Sequence, residues 1–279
     1  MGSILFARAG ERASALVLNL VKCWLGLLML GGTALLVSGR AWPLQAEASQ
    51  ITWLSISGVL GLTLGDTAFF AALIRLGPRR ALLFWALVPP MTAVLAFLFL
   101  DEPLTSRMMG GIAVVILGVG WVIAERSGSG PGRGRAVLPG ALLGLTAALC
   151  QSVGSIITKR VDDGLSALDV SVIRLFAGSV GLLVQVVLAR RMEEAVGVLK
   201  DQPLLRLLIA STFIGTYLGI WLSIYGLQHT YAGVAATLQA TSPIFVLPLA
   251  VIFMNERLSA RAVLGAIVAV GGVAMLMGL

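Results

Sequence analysis

Residues 15–38, ALVLNLVKCWLGLLMLGGTALLVS, carry one charge, Lys22, in a run long enough to cross a lipid bilayer. About 20 apolar residues span the hydrocarbon core as a helix. Helix is the form such a run must take there, because it satisfies its own amides where no water can. The same pattern recurs at 51–76, 80–100, 108–124, 137–158, 168–189, 204–227, 231–254 and 262–278, nine segments in all. Short segments alternating with period 2 would instead suggest a membrane barrel; these runs are long and continuous. Charged residues make up 12% of the chain, against about 25% in soluble domains. The sequence therefore reads as an all-α polytopic membrane protein.

The chain repeats itself. Residues 51–124 align without a gap on 205–278, at a constant offset of 154. Gly61 meets Gly215, Gly65 meets Gly219, Pro89 meets Pro243, and Glu102, Leu104 and Arg107 meet Glu256, Leu258 and Arg261. An offset of 152 aligns the beginnings: GSILFAR at 2–8 lies over GSIITKR at 154–160, Lys22 over Arg174, and Gly26 over Gly178. Gly154 is near the end of segment 137–158, so the first half is expected to lack the ~15 residues that would open its first helix. The expected organisation is a first repeat at 1–125, a Gly/Ser/Arg linker at 126–136 and a second repeat at 137–279. Each repeat would hold five helices, the first one truncated. An odd number inverts the second repeat relative to the first, and inverted repeats are a transporter architecture.

Loop charge sets orientation. Fourteen of the 20 Lys and Arg fall at one end, here end A, which holds the stub loop with Arg8 and Arg12 and the loops near 77, 130, 195 and 258. Four fall at end B: Arg40, Arg107, Lys159 and Arg160. End A is expected to be cytoplasmic, in an inner (cytoplasmic) membrane. The net charge of +7 is thus spent on topology, and no basic face suited to nucleic acid is formed. Cys23 and Cys150 have neither disulfide nor metal spacing, and His229 is the only histidine. No metal, cofactor or enzymatic constellation is expected.

The segments ALVPPMTAVLAFLFLDEPLTSRMMGGIAVVILGVGWVI and TLQATSPIFVLPLAVIFMNERLSARAVLGAIVAVGGVAML share a Pro-kinked helix, a Glu-x-Leu-Ser/Thr turn and a Gly-rich helix. This doubled pattern resembles the EamA-like branch of the drug/metabolite transporter superfamily. The resemblance implies a ten-helix secondary transporter of metabolites, often amino acids, or of drugs. It also implies both termini inside, whereas the charge bias places the C-terminus outside.

Ionisable groups within a bilayer are functional candidates by default. Asp66 and Lys22 lie ~14 Å and ~10 Å from end A at 1.5 Å per helical residue, so they can pair. Asp66 is otherwise a proton-coupling or substrate-amine site. Arg174 is the mate of Lys22, but the mate of Asp66 is Ile220. Arg174 therefore either snorkels toward Asp162, Asp163 and Asp169 or receives a substrate carboxylate or phosphate, which its fork suits. Tyr217, Trp221 and Tyr225 form a stripe on one helix face, where the first half has Thr63, Thr67 and Ala71. Trp85 and Gln239 occupy matching positions before the kinking prolines. Glu102 and Glu256 read as structural turn residues, with Thr105 and Ser259 capping the helices that follow.

The substrate-binding set is thus Asp66, Trp85, Arg174, Tyr217, Trp221 and Gln239. The expected activity is export of amino acids or related compounds, with a small-molecule substrate, the lipid bilayer and a proton at Asp66 as partners, by a monomer or homodimer. The alternatives are a lipophilic cation/proton exchanger, or a scaffold or remnant that transports nothing.

Overall fold

A computed structural model describes residues 12–40, 43, 45–111, 113–114, 117, 133–161, 163–240 and 271. Every regular element among them is helical. Helix α1 spans Ala15–Ser38. Helix α2, Ala48–Gly58, runs through a π-helical stretch, Val59–Gly65, into α3, Asp66–Leu76. Helix α4 is Pro78–Trp85 and α5 is Val88–Phe99. Helix α6, Arg133–Val161, is followed by α7, Ala167–Leu188, and by the short α8, Met192–Lys200. Helix α9, Gln202–Thr212, passes through a second π stretch, Phe213–Leu218, into α10, Gly219–His229. Helix α11, Ala232–Ala240, ends the continuous part.

Five of these stretches are long and apolar enough to cross a membrane: Ala15–Ser38, Ala48–Leu76, Leu138–Val161, Ala167–Leu188 and Gln202–His229. The expected single span at 80–100 is instead two helices, with a turn at Ala86–Leu87. Pro89 and Pro90 explain the break, because proline has no N–H to continue the ladder. The linker expected at 126–136 is already helical from Arg133. Helix α8 lies where a loop was expected. All of 262–278 but residue 271, most of 108–124 and the second half of 231–254 lie outside the described residues.

Helix α1 packs along α7, α2 also lies against α7, α3 along α6, and α5 along α11. The close approaches use glycine. A Cβ on Gly26 would stand 2.8 Å from Thr216 Cγ2, and one on Gly178 would stand 2.9 Å from Leu62 Cβ. Gly26 and Gly178 are matched by the offset of 152, and Leu62 and Thr216 by that of 154. One contact is therefore made twice, once by each half. The π stretches also begin at matching positions, 59 and 213.

Polar bonds tie loops together at two ends. At end A, Arg12 Nη1 meets Asp201 Oδ2 at 3.3 Å, and the N–H of Ser14 donates to Glu194. At end B, Gln50 Nε2 donates to the carbonyls of Val161 and Asp163, and Gln228 Nε2 to that of Leu165.

Candidate functional site

The first π stretch positions the acid. Asp66 follows it directly, and the Asp66 N–H donates to the Gly61 carbonyl five residues back. That register change disturbs the α-helical ladder, and inside a membrane the carbonyls concerned need other donors. Asn19, fully buried on α1, supplies one: its Nδ2 donates to the Leu62 carbonyl at 2.8 Å and to Thr67 Oγ1 at 3.0 Å. Asn19 was missed in the sequence because it is polar without being ionisable. The usable signal was its spacing of three from Lys22, which puts both on one helix face.

Lys22 and Asp66 form an ion pair, with side chains 5% and 15% exposed. The ammonium also stands 4.9 Å from the centroid of the Phe70 ring, one turn beyond Asp66. The two residues therefore hold each other's charge where water is scarce. Removing one partner of such a pair strands the other, at a typical cost of about 3–5 kcal/mol.

Arg174 has no such partner. It is 4% exposed, and among the described residues no carboxylate lies within ion-pair distance and its Nε has no hydrogen-bond acceptor. The expectation that it snorkels to the acids of the 162–169 loop is not met. Asp169 binds Ser166 as a helix cap, Asp163 offers only its carbonyl, to Gln50, and Asp162 lies outside the described residues. The guanidinium lies instead among glycines. Arg174 Nη2 would be 3.3 Å from a Cβ on Gly61 and 3.6 Å from one on Gly154, and Gln151 Oε1 would be 3.2 Å from that same Gly61 Cβ. Gly58 lets α2 approach so closely that a Cβ there would sit 2.2 Å from the Arg174 carbonyl. Small residues on facing helices thus let the guanidinium and the Gln151 amide oxygen approach the backbone at Gly61.

The aromatic residues divide. Tyr217 and Trp221 are half-buried, with ring centroids 6.0 Å apart, and the Tyr217 hydroxyl shares a 2.9 Å hydrogen bond with Thr33 Oγ1 of α1. Tyr225 is 54% exposed and stacks on His229. Trp85 packs against Phe69 with centroids 4.7 Å apart. Gln239 lies on α11, but its side chain is outside the described residues. The structure therefore brings Lys22 to Asp66 and Tyr217 to Trp221, and places the Arg174 guanidinium beside Gly61 and Gly154, where it feels the charge of Asp66 without reaching ion-pair distance. No group of three or more His, Cys, Asp or Glu side chains able to hold a metal occurs among the described residues.

The family profile of the EamA-like transporter family matches residues 1–124 and 138–278. No curated protein matches the chain. A solved structure titled only "Crystal structure of protein" is similar in fold, with a TM-score of 0.65 and 18% identity over 99% of this chain and 94% of that one. Matched in both halves, and built of apolar helices long enough to cross a membrane, the chain belongs to the EamA-like transporter family, membrane transporters of the drug/metabolite type.

Proposed function

We propose that this protein is a secondary active exporter of amino acids or related carboxylate-bearing metabolites across the cytoplasmic (inner) membrane, working by alternating access between two inverted repeats of five helices. The observation that carries the substrate class is Arg174, a buried guanidinium with no carboxylate within ion-pair distance among the described residues and an Nε without an acceptor. A cation with no carboxylate in contact is costly in a membrane interior; Asp66 acts on Arg174 only from beyond ion-pair distance, and a substrate carboxylate would lower that cost. Asp66, shared with Lys22, is the acid open to the substrate's amine. Tyr217 and Trp221 line the neighbouring helix, and Trp85 and Gln239 complete the proposed set.

The local charge balance weighs against a lipophilic cation. Lys22 already neutralises Asp66, and Arg174 adds a further positive charge. A proton binding at Asp66 would release Lys22, which makes coupling through this pair chemically reasonable. The inverted arrangement is supported by the doubled glycine contact and the matching π stretches, and the orientation by the basic bias of end A.

Radiolabelled counterflow in proteoliposomes tests the reading, with a panel of amino acids, other carboxylates, sugars and lipophilic cations. A charge-assisted hydrogen bond contributes about 1.5–3 kcal/mol, so Arg174→Gln is expected to weaken apparent affinity for the transported carboxylate by roughly 10- to 100-fold. Arg174→Lys should lose less. Exchange confined to lipophilic cations, or exchange of amino acids unaffected by Arg174→Gln, would refute the assignment.

A further inference from the structure

Outside the substrate site, the hairpin that joins α10 to α11 is gripped from both sides by charges that belong to neither helix. Lys159, near the end of α6, donates its ammonium to the Leu227 carbonyl in the last turn of α10, at 2.7 Å, and to the carbonyl of Thr230 just beyond it. Glu102, just beyond α5, accepts the Ala232 N–H with both carboxylate oxygens, at 3.0 and 2.8 Å, at the start of α11. A cation at a helix C-terminus and an anion at a helix N-terminus are each favoured by the helix dipole. Glu102 was expected to be a turn residue of its own hairpin; its partner is instead 130 residues away. Asp101, in the left-handed region at φ 53°, turns the chain so that Glu102 reaches across. Below the grip, Ala96, Ile156, Leu227, Ala232 and Ala235 form a buried apolar cluster joining α5, α6, α10 and α11.

The matching hairpin at end A cannot be gripped in this way. The offset of 154 places Pro78 where Ala232 stands, and proline has no N–H to donate. The offset of 152 places Ala7 where Lys159 stands, and alanine carries no charge. We infer that Glu102 and Lys159 form a latch that holds the hairpin at end B shut over the apolar cluster, and that the matched positions at end A, Ala7 and Pro78, cannot form the same pair of contacts. The latch does not depend on the identity of the substrate.

The test follows a cysteine placed in the cluster. Ile156→Cys is made with Cys23→Ala and Cys150→Ala, and its modification by a membrane-impermeant maleimide is timed from each face of the membrane. Arg40→Cys, an exposed position at end B, identifies that face in separate vesicles. Removing the charge from such a helix-end contact shifts a gating equilibrium by about tenfold. Glu102→Gln and Lys159→Gln should therefore each speed labelling from end B about tenfold, leave labelling from end A unchanged, and keep a monodisperse elution profile. Unchanged labelling from end B in both variants would overturn the latch. So would equal acceleration from both faces, or aggregation of the Gln variants, because either would make these residues scaffold rather than gate.

Discussion

Replacing Asp66 by Asn deletes one charge and leaves the shape of the side chain, so it isolates the worth of the Lys22–Asp66 pair. The stranded ammonium is 5% exposed, which puts the gross penalty in the range of about 3–5 kcal/mol for breaking a buried pair. The Phe70 face, 4.9 Å away, stacks on the ammonium before and after the substitution and so does not offset this. A loss of about 3–5 kcal/mol results. Lys22→Gln strands a carboxylate that is 15% exposed and can rehydrate in part, for a loss of about 2–3 kcal/mol. The double variant leaves two amides and no charge, so it should lose less than either single variant, which makes the coupling larger than either single loss. Denaturation in detergent across the four-protein cycle measures this, and a coupling below about 0.5 kcal/mol would refute the account of a charge pair held away from water. Transport then separates the roles. If Asp66 carries the coupling proton, Asp66→Asn abolishes uphill transport, spares counterflow, and stays uncoupled when Lys22→Gln is added. If pairing is its sole role, the double variant regains uphill transport.

Gly58→Ala would place a methyl 2.2 Å from the Arg174 carbonyl, a backbone atom that cannot rotate away. It is expected to force α2 from α7 and cost more than about 3 kcal/mol, read as loss of the folded fraction in detergent; near-wild-type stability would contradict the packing described. Arg190 closes α7 at φ 54°, exposed, with the N–H of Arg191 bonded to the Val186 carbonyl. Glycine adopts that conformation without a Cβ penalty, so Arg190→Gly should raise stability by about 0.5–1 kcal/mol, and a fall in midpoint would count against it.

The spans and the ion pair were legible because each depends on one periodicity. Residues 15–38 coincide with α1, since apolar content and length suffice to define a helix in lipid. Lys22 and Asp66 could be brought together from helical rise alone. The surroundings of Arg174 were not legible. Its acids looked near in sequence, but Gly58 brings α2 against the Arg174 backbone, and Gly61 and Gly154 admit its guanidinium between the helices, away from the loop. The π stretches were hidden for a related reason, because no side-chain propensity marks a register change; only the polar donor waiting at Asn19 betrays one. The short α8 was too brief to rise above its loop, and the partner of Glu102 was hidden by distance along the chain.

The two halves have diverged unevenly, and the pattern of divergence bears on mechanism. Contacts that only set helix spacing are kept: Gly26 meets Thr216 as Gly178 meets Leu62. Some positions that carry charge or meet a helix end are not, although Glu102 keeps its mate Glu256 and Lys22 keeps a cation in Arg174. Asp66 faces Ile220 in the alignment, Lys159 faces Ala7, and Ala232 faces Pro78. Were the halves identical and inverted, exchanging their conformations would map the state open at one end onto the state open at the other, and the two would have equal free energy. Each broken correspondence lifts that degeneracy. The paired acid and the lone guanidinium would give the substrate one preferred orientation, and the latch would give the empty protein one preferred opening. A ligand can shift such an equilibrium only by its differential affinity for the two states. The carboxylate that reaches Arg174 would therefore have to bind the state open at end B more tightly by at least the factor that Glu102 and Lys159 impose, about tenfold each, before export could proceed.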